Sequence, residues 1–131
     1  MRHRVLYQLD FLTLEYDVVE EYLHAVWRGE QTDETIREGY EQILQALGHE
    51  RCARLLDNHY AIQGIWVSQA DWLAHDWYPR AVEAGLRYHA VVYSQDFYSR
   101  RSTQEAIAKI PGGLVAAFHR EESAKQALLA L

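Results

Sequence analysis

An acid, a hydroxyl and an imidazole each stand near the end of an apolar run in this chain: Asp57, Ser94 and His119. Brought together, those three types would activate a serine nucleophile. Amides lie beside two of them, Asn58 after Asp57 and Gln95 after Ser94. The Gly-x-Ser-x-Gly frame that exposes a nucleophilic serine is absent around Ser68, Ser94 and Ser99. Asp57 and Asn58 read instead as strand-end residues whose side chains bond nearby backbone and shape a loop. No catalytic residue is assigned, and the chain reads as a non-enzyme.

The seven histidines, at 3, 24, 49, 59, 75, 89 and 119, are scattered. None pairs at His-x-x-x-His or His-x-His spacing, so no metal site is assigned. Gly112-Gly113 follows a proline and leads into a strand, not a helix, which makes it a turn and not a phosphate loop. No cofactor is implied. Arg100-Arg101, beside Phe97 and Tyr98, have the chemistry to grip a phosphate or carboxylate, but their place at a helix start suits a solvated role. Ser68 reads as a helix cap. Phosphate there would suit the helix dipole, yet the expected role is structural.

The aromatics carry more information. Tyr60, Trp66, Trp72, Trp77, Tyr78, Phe97 and Tyr98 crowd the two segments that follow the third and fourth strands. Trp72 and Trp77 are five apart and project ~140° from one another on a helix, so both cannot face a sheet squarely. Exposed aromatics beside a polar break mark an interface or a ligand groove. The segment from Asn58 to Trp77 is therefore the expected functional surface, with Asp57, Asn58, Tyr60, Trp66, Trp72, Trp77 and Arg80 as its binding residues. Trp66 falls in the expected loop and is its best single probe.

The elements that must position these residues follow from periodicity. "FLTLEYD" and "EYLHAVWRG" alternate with period two and form an antiparallel hairpin across Asp17 to Glu20. A helix then begins at Thr32, a good cap with Asp33 and Glu34 in its first turn. Its apolar stripe is Ile36, Tyr40, Ile43, Leu44 and Leu47, and Gly48 suits its left-handed end. "CARLL" is a short buried strand that stops at Asp57, followed by a long loop. Ser68 and Asp71 resemble a capping box, with Val67 and Trp72 as a staple. The second helix ends at Gly85 and is kinked by Pro79. "LRYHAVVYS" is a strand, and Ser102 and Glu105 cap a third helix that Pro111 breaks. "GLVAAFH" is an unbroken apolar strand expected to be covered on both faces, and "REESAKQALLAL" is a last helix with Ala124, Ala127, Leu128 and Leu131 inward. The order is ββαβαβαβα. It implies an α/β fold with a mainly parallel sheet, only the first strand running against the rest.

Bulk composition sets the outer limits. With 131 residues, 49% of them hydrophobic and 24% charged, the chain suits one domain spanning residues 1–131 with a real core. A net charge of −6 argues against a nucleic-acid binder, which needs a basic face. One cysteine, Cys52, permits no internal disulfide and fits a reducing compartment. There is no leader-like start, and no apolar run approaches the ~18 residues of a membrane span. The expected location is cytoplasmic.

The element order, with "VLYQLDFLTLEYD", "LLDN" and "DWLAHDWYPRAVEAGL", resembles the STAS-like fold. That fold includes sulphate-transporter and anti-sigma-factor-antagonist domains and the related CRAL-TRIO lipid-transfer domains. The likeness is nearest to small stand-alone bacterial proteins of unknown function, and it spans nearly the whole chain. In anti-sigma antagonists a serine in an Asp-Ser-Ser/Thr-Gly pattern after the third strand is phosphorylated. Here Asp57-Asn58-His59-Tyr60 stands at that place and no serine follows before Ser68, so no phosphorylation site is carried over. The resemblance implies a non-enzymatic regulatory or interaction module that binds a protein partner or a second copy of itself. The alternative is a small-molecule or lipid-like ligand carrier with a pocket under the Tyr60–Trp66 loop.

Overall fold

A computed structural model describes residues 2–111 and 114–130. The Gly112-Gly113 turn and the inward Leu131 lie outside the described residues. The fold is α/β, with six strands and four helices among the described residues. The strands are β1 (His3–Gln8), β2 (Leu12–Asp17), β3 (Tyr22–Glu30), β4 (Arg54–Gln63), β5 (Tyr88–Val92) and β6 (Val115–Phe118). Helix α1 is Asp33–Glu50, α3 is Phe97–Lys109 and α4 is Glu121–Leu129. Helix α2 is composite: a 3₁₀ turn over Val67–Gln69, an α turn over Ala70–Trp72, a π turn over Leu73–Trp77 and an α segment over Tyr78–Glu83.

The strands lie side by side in chain order, β1-β2-β3-β4-β5-β6. β2 is antiparallel to both its neighbours, and the pairs from β3 to β6 are parallel. The strand expected to oppose the rest does so, but the sheet carries an additional edge strand, β1. Crossovers of one hand between successive neighbours put their helices on one face. Accordingly Ile36, Tyr40, Leu73, Ala81 and Ala106, from α1, α2 and α3, share one core with Leu23, Trp27 and Leu55 of the sheet. Helix α4 covers the opposite face, where Ala124 and Leu128 meet Tyr22, Leu56, Ala90 and Val92. Among the described residues no helix is long and apolar enough to cross a membrane.

Local chemistry explains where the elements begin and end. Thr32 caps α1 as its sequence suggests: its Oγ accepts from Thr35 N–H, and Thr35 returns the bond to Thr32 N–H. The left-handed residue that closes α1 is Arg51 (φ 52°), and Gly48 lies inside the helix. Helix α3 starts at Phe97 under an Asp96 cap that accepts from Ser99 N–H, six residues before the expected cap Ser102. Ser102 is buried mid-helix, where its hydroxyl donates to Tyr98 O and accepts from Trp66 N–H. β6 is an edge strand and only half buried, because no further strand covers its outer side.

β4 departs most from expectation. It does not stop at Asp57 but runs on to Gln63, so the long loop shrinks to the three residues Gly64–Trp66. The register explains why. Val26 pairs with Asn58 and Arg28 with Ala61, so β4 carries one residue more than β3 across this stretch. The bulge breaks the odd-even alternation, and both His59 and Ile62 enter the core beneath α1 and α2.

Helix α2 also starts differently. Trp66 stands at its cap position without a side-chain bond, and Ser68 Oγ donates to Asp33 Oδ1 at 2.7 Å instead of capping. Val67 is exposed, so no staple forms with Trp72. The π turn precedes Pro79, which has no N–H to give. Tyr78 N–H bonds Leu73 O, five residues back. The widened turn sets the facing of the two tryptophans. Trp77 takes the core position, and Trp72 sits at the edge under the Arg37 guanidinium, 5.1 Å from its ring.

Candidate functional site

Asp57 is fully buried in mid-strand, on the face covered by α1 and α2. Across the sheet it pairs with Ala25 and Val91, and on its own strand it points the same way as Leu55 and His59. Four side chains converge on its carboxylate. Trp27 Nε1–H donates to Oδ1 at 2.8 Å. Tyr40 O–H (2.7 Å), His89 Nε2 (2.9 Å) and His59 Nε2 (3.2 Å) meet Oδ2. With the one Tyr40 proton given to Asp57, His59 donates from Nε2 to Tyr40 Oη at 2.9 Å. Its Nδ1 meets Thr103 Oγ1 at 3.0 Å, a hydroxyl that serves either protonation state of the ring. Trp77 Nε1–H closes the network on Tyr40 O at 2.6 Å.

The electrostatics follow from this arrangement. Burial alone would raise the Asp57 pKa. Charge and hydrogen bonding from His59, then His89, outweigh it and hold the carboxyl far below its usual range. Tyr40 is pushed well up, first by burial and then by Asp57, so it remains a donor. An acceptor carboxylate at the centre and aromatic donors around it form a satisfied core network. Asp57, His59, His89, Trp27 and Tyr40 are all buried. Two neighbouring polar atoms have no hydrogen-bond partner among the described residues, Tyr78 Oη and His89 Nδ1, on rings stacked with centroids 5.8 Å apart.

The expected binding residues are therefore dispersed. Asp57, Trp66 (1% exposed) and Trp77 (0%) belong to the core and are removed from any accessible surface. Trp66 Nε1–H donates to Ser99 Oγ at 3.2 Å, and its ring meets the edge of His59. Asn58, next along β4, points to the opposite face, where its amide donates to Glu121 Oε1 at 3.0 Å. The same oxygen meets His24 Nε2 at 2.5 Å, and this bond leads the effects that lower the Glu121 pKa. Arg80 pairs with Glu41 (2.5 Å) and Asp76 (2.7 Å) on the flank of α2. Of the seven, Tyr60 is exposed, the Arg80 side chain is 41% accessible within its ion pairs, and Asn58 and Trp72 are half-buried. The triad candidates also stay apart in role: Ser94 Oγ donates to Ile62 O, and His119 packs on Tyr93. Among the described residues, no group of three or more His, Cys, Asp or Glu side chains is arranged to hold a metal.

What does collect at the carboxyl end of the parallel strands is a different set. Tyr60 (47%), Ile65 (62%), Val67 (39%), Phe97 (58%) and Tyr98 (59%) are large apolar residues left exposed. Short bonds hold their segments together. Gly64 N–H donates to Asp96 Oδ2 at 2.9 Å, Trp66 N–H to Ser102 Oγ at 3.0 Å, and the Gln95 amide to Tyr60 Oη. Phe97 and Tyr98 meet edge to face at 5.5 Å, and the Arg100 guanidinium lies 5.9 Å from the Phe97 ring. Because β4 outruns β5, a crevice of about 370 Å³ opens between Tyr60–Gln63 and Gln95-Asp96. Crevices beyond the carboxyl ends of strands are where open α/β sheets bind. Phe97 and Tyr98 were visible in the sequence as part of the aromatic crowd. Ile65 does not stand out in the sequence, and Val67 reads there as a helix staple with Trp72, while the expected loop centres on Trp66.

Compared with protein-family models, curated proteins and solved structures, the chain matches none.

Proposed function

We propose that this protein is a non-enzymatic, STAS-like interaction module of the bacterial cytoplasm. Its docking surface is the Tyr60, Ile65, Val67, Phe97 and Tyr98 patch. One observation carries the reading: five large apolar side chains stay exposed on segments fixed to one another at the end of the sheet where such folds bind. Rigid aromatic anchors lose little entropy on contact and supply most of an interface's energy. The partner is a protein, in the simplest case a second copy. The polar chemistry of the chain supports this more than catalysis, because its Asp-His-Tyr cluster is spent inside the core. Regulation by serine phosphate is not part of the reading, since no serine stands directly after Asp57 and the first to follow, Ser68, is bonded to Asp33.

Sedimentation velocity over a wide concentration range tests it, with the Phe97→Ser, Tyr98→Ser double variant alongside. A dimer that the double variant abolishes without a change in melting temperature supports self-association through the patch. A chain that is monomeric throughout, and retains no protein on affinity capture that the variant releases, overturns the reading. The alternative, a small-ligand carrier with its pocket beside Tyr60, has the polar-walled crevice to support it. Native mass spectrometry of freshly purified protein, showing a retained small mass, would favour it.

A further inference from the structure

At the other end of α3, away from the docking patch, the helices part. α3 packs chiefly against the first half of α2, over Val67–Trp77. The divergence leaves a groove of about 670 Å³ between α2 and the end of α3. That is within the usual size range of small-molecule sites, roughly 300–1,000 Å³. Ala74, Val82, Ile110 and Leu114 line it with apolar surface, and Tyr78 adds a ring. The two prolines of the chain, Pro79 and Pro111, both stand in its walls. Rigid walls spare a ligand the cost of ordering them.

The charge on the rim is one-sided. Among the described residues that line the groove, the ionisable side chains besides Tyr78 are His75 and Lys109, and none is a carboxylate. Lys109 pairs with Asp71 at 3.1 Å, an exposed surface pair that is weak and readily exchanged. We infer that this groove binds a small amphipathic carboxylic acid, its apolar body against Val82, Ile110 and Leu114 and its carboxylate at Lys109 and His75. An alkyl chain entering it loses water-exposed surface at each methylene, which supplies the affinity, and the ammonium selects the head. The site is independent of the patch at Phe97 and Tyr98, so either can fail without the other.

The test titrates the purified protein calorimetrically with decanoate, 1-decanol and decyltrimethylammonium, and maps amide shifts in parallel. Decanoate should bind best and shift Val82, Ile110 and Leu114. Ala108 lines the groove and is exposed, so Ala108→Phe fills it without entering the core, and it should weaken decanoate about tenfold or more. Lys109→Glu should weaken decanoate roughly fivefold and leave decanol unchanged. Three results would overturn the inference: no binding by decanoate, shifts located elsewhere on the wild-type protein, or an ammonium that binds as well as the acid.

Discussion

Gly39 of α1 lies directly on the indole of Trp27. A methyl group added to Gly39 would stand 2.6 Å from Trp27 Cζ3, closer still to Cη2, and 3.2 Å from Leu12 Cδ2. Trp27 cannot retreat, because it is wholly buried and its Nε1–H is committed to Asp57. Gly39→Ala, which in an exposed helix would gain about 1 kcal/mol, should here cost about 1–3 kcal/mol through overpacking. Urea unfolding measures the sign, and a stabilised variant would show that the helix can lift off the ring.

Asp57 is the common acceptor of that network. Asp57→Asn keeps the shape but turns one acceptor into a donor facing Tyr40 and His89, and should cost about 3–5 kcal/mol. Far-ultraviolet circular dichroism in urea would show it. A loss under 1 kcal/mol would mean the carboxylate is not the organising charge.

The same residue sets an acid limit. Its pKa is depressed in the folded chain, so the stability it contributes is fully present above the unfolded value near ~4 and is lost as pH falls below that. The gap in unfolding free energy between wild type and Asp57→Asn should be flat from neutral pH to about 5 and shrink below about 4. A gap that is unchanged at low pH would place the acid sensitivity elsewhere.

Tyr78 gives the opposite expectation. Its hydroxyl is buried without a partner among the described residues, and burial, then Asp57, raises its pKa, so it stays a neutral donor. Tyr78→Phe should be neutral or stabilising, by up to about 1 kcal/mol. Thermal melts of the two proteins decide it. A clear loss of stability would mean that an ordered water already satisfies the hydroxyl.

Trp66 and Phe97 separate core from surface. Trp66→Ala should cost about 3–5 kcal/mol, whereas Phe97→Ser should stay within about 0.5 kcal/mol. Comparable losses at both would contradict the exposure that defines the docking patch.

The hairpin and the stripe of α1 were legible because their side chains keep a period of two or 3.6, and the three later strand-helix repeats because short apolar runs alternate with helical patterns between turn residues. Two features hid from that signal. β1, "HRVLYQ", is an exposed edge with an irregularity between Val5 and Tyr7, so no buried face marks it. β4 lost its alternation at the bulge after Asn58, and a polar Asp-Asn-His in mid-strand passed for a strand end. The site reading failed for the same cause. Once Asn58–Gln63 is strand, Trp66 follows a three-residue connection and drops into the core instead of crowning a loop. Conversely, Asp57 looked like a surface break because its partners, Trp27, Tyr40 and His89, are distant in sequence and gather only in the fold.

The matching of strand order to chain order bears on how the molecule assembles. Each ladder joins segments separated by one turn or one helix, so no pairing waits on a distant closure and no strand has to slip between two already joined. The sheet can grow by accretion at its edge, starting from the β2–β3 hairpin and adding β4, β5 and β6 in the order they leave the ribosome. Asp57 arrives in the second of these stages, beside Trp27 and Tyr40, and must wait for β5 to bring His89. On this order the carboxylate gains its last partner only when β5 joins, after the hairpin and β4 are already paired.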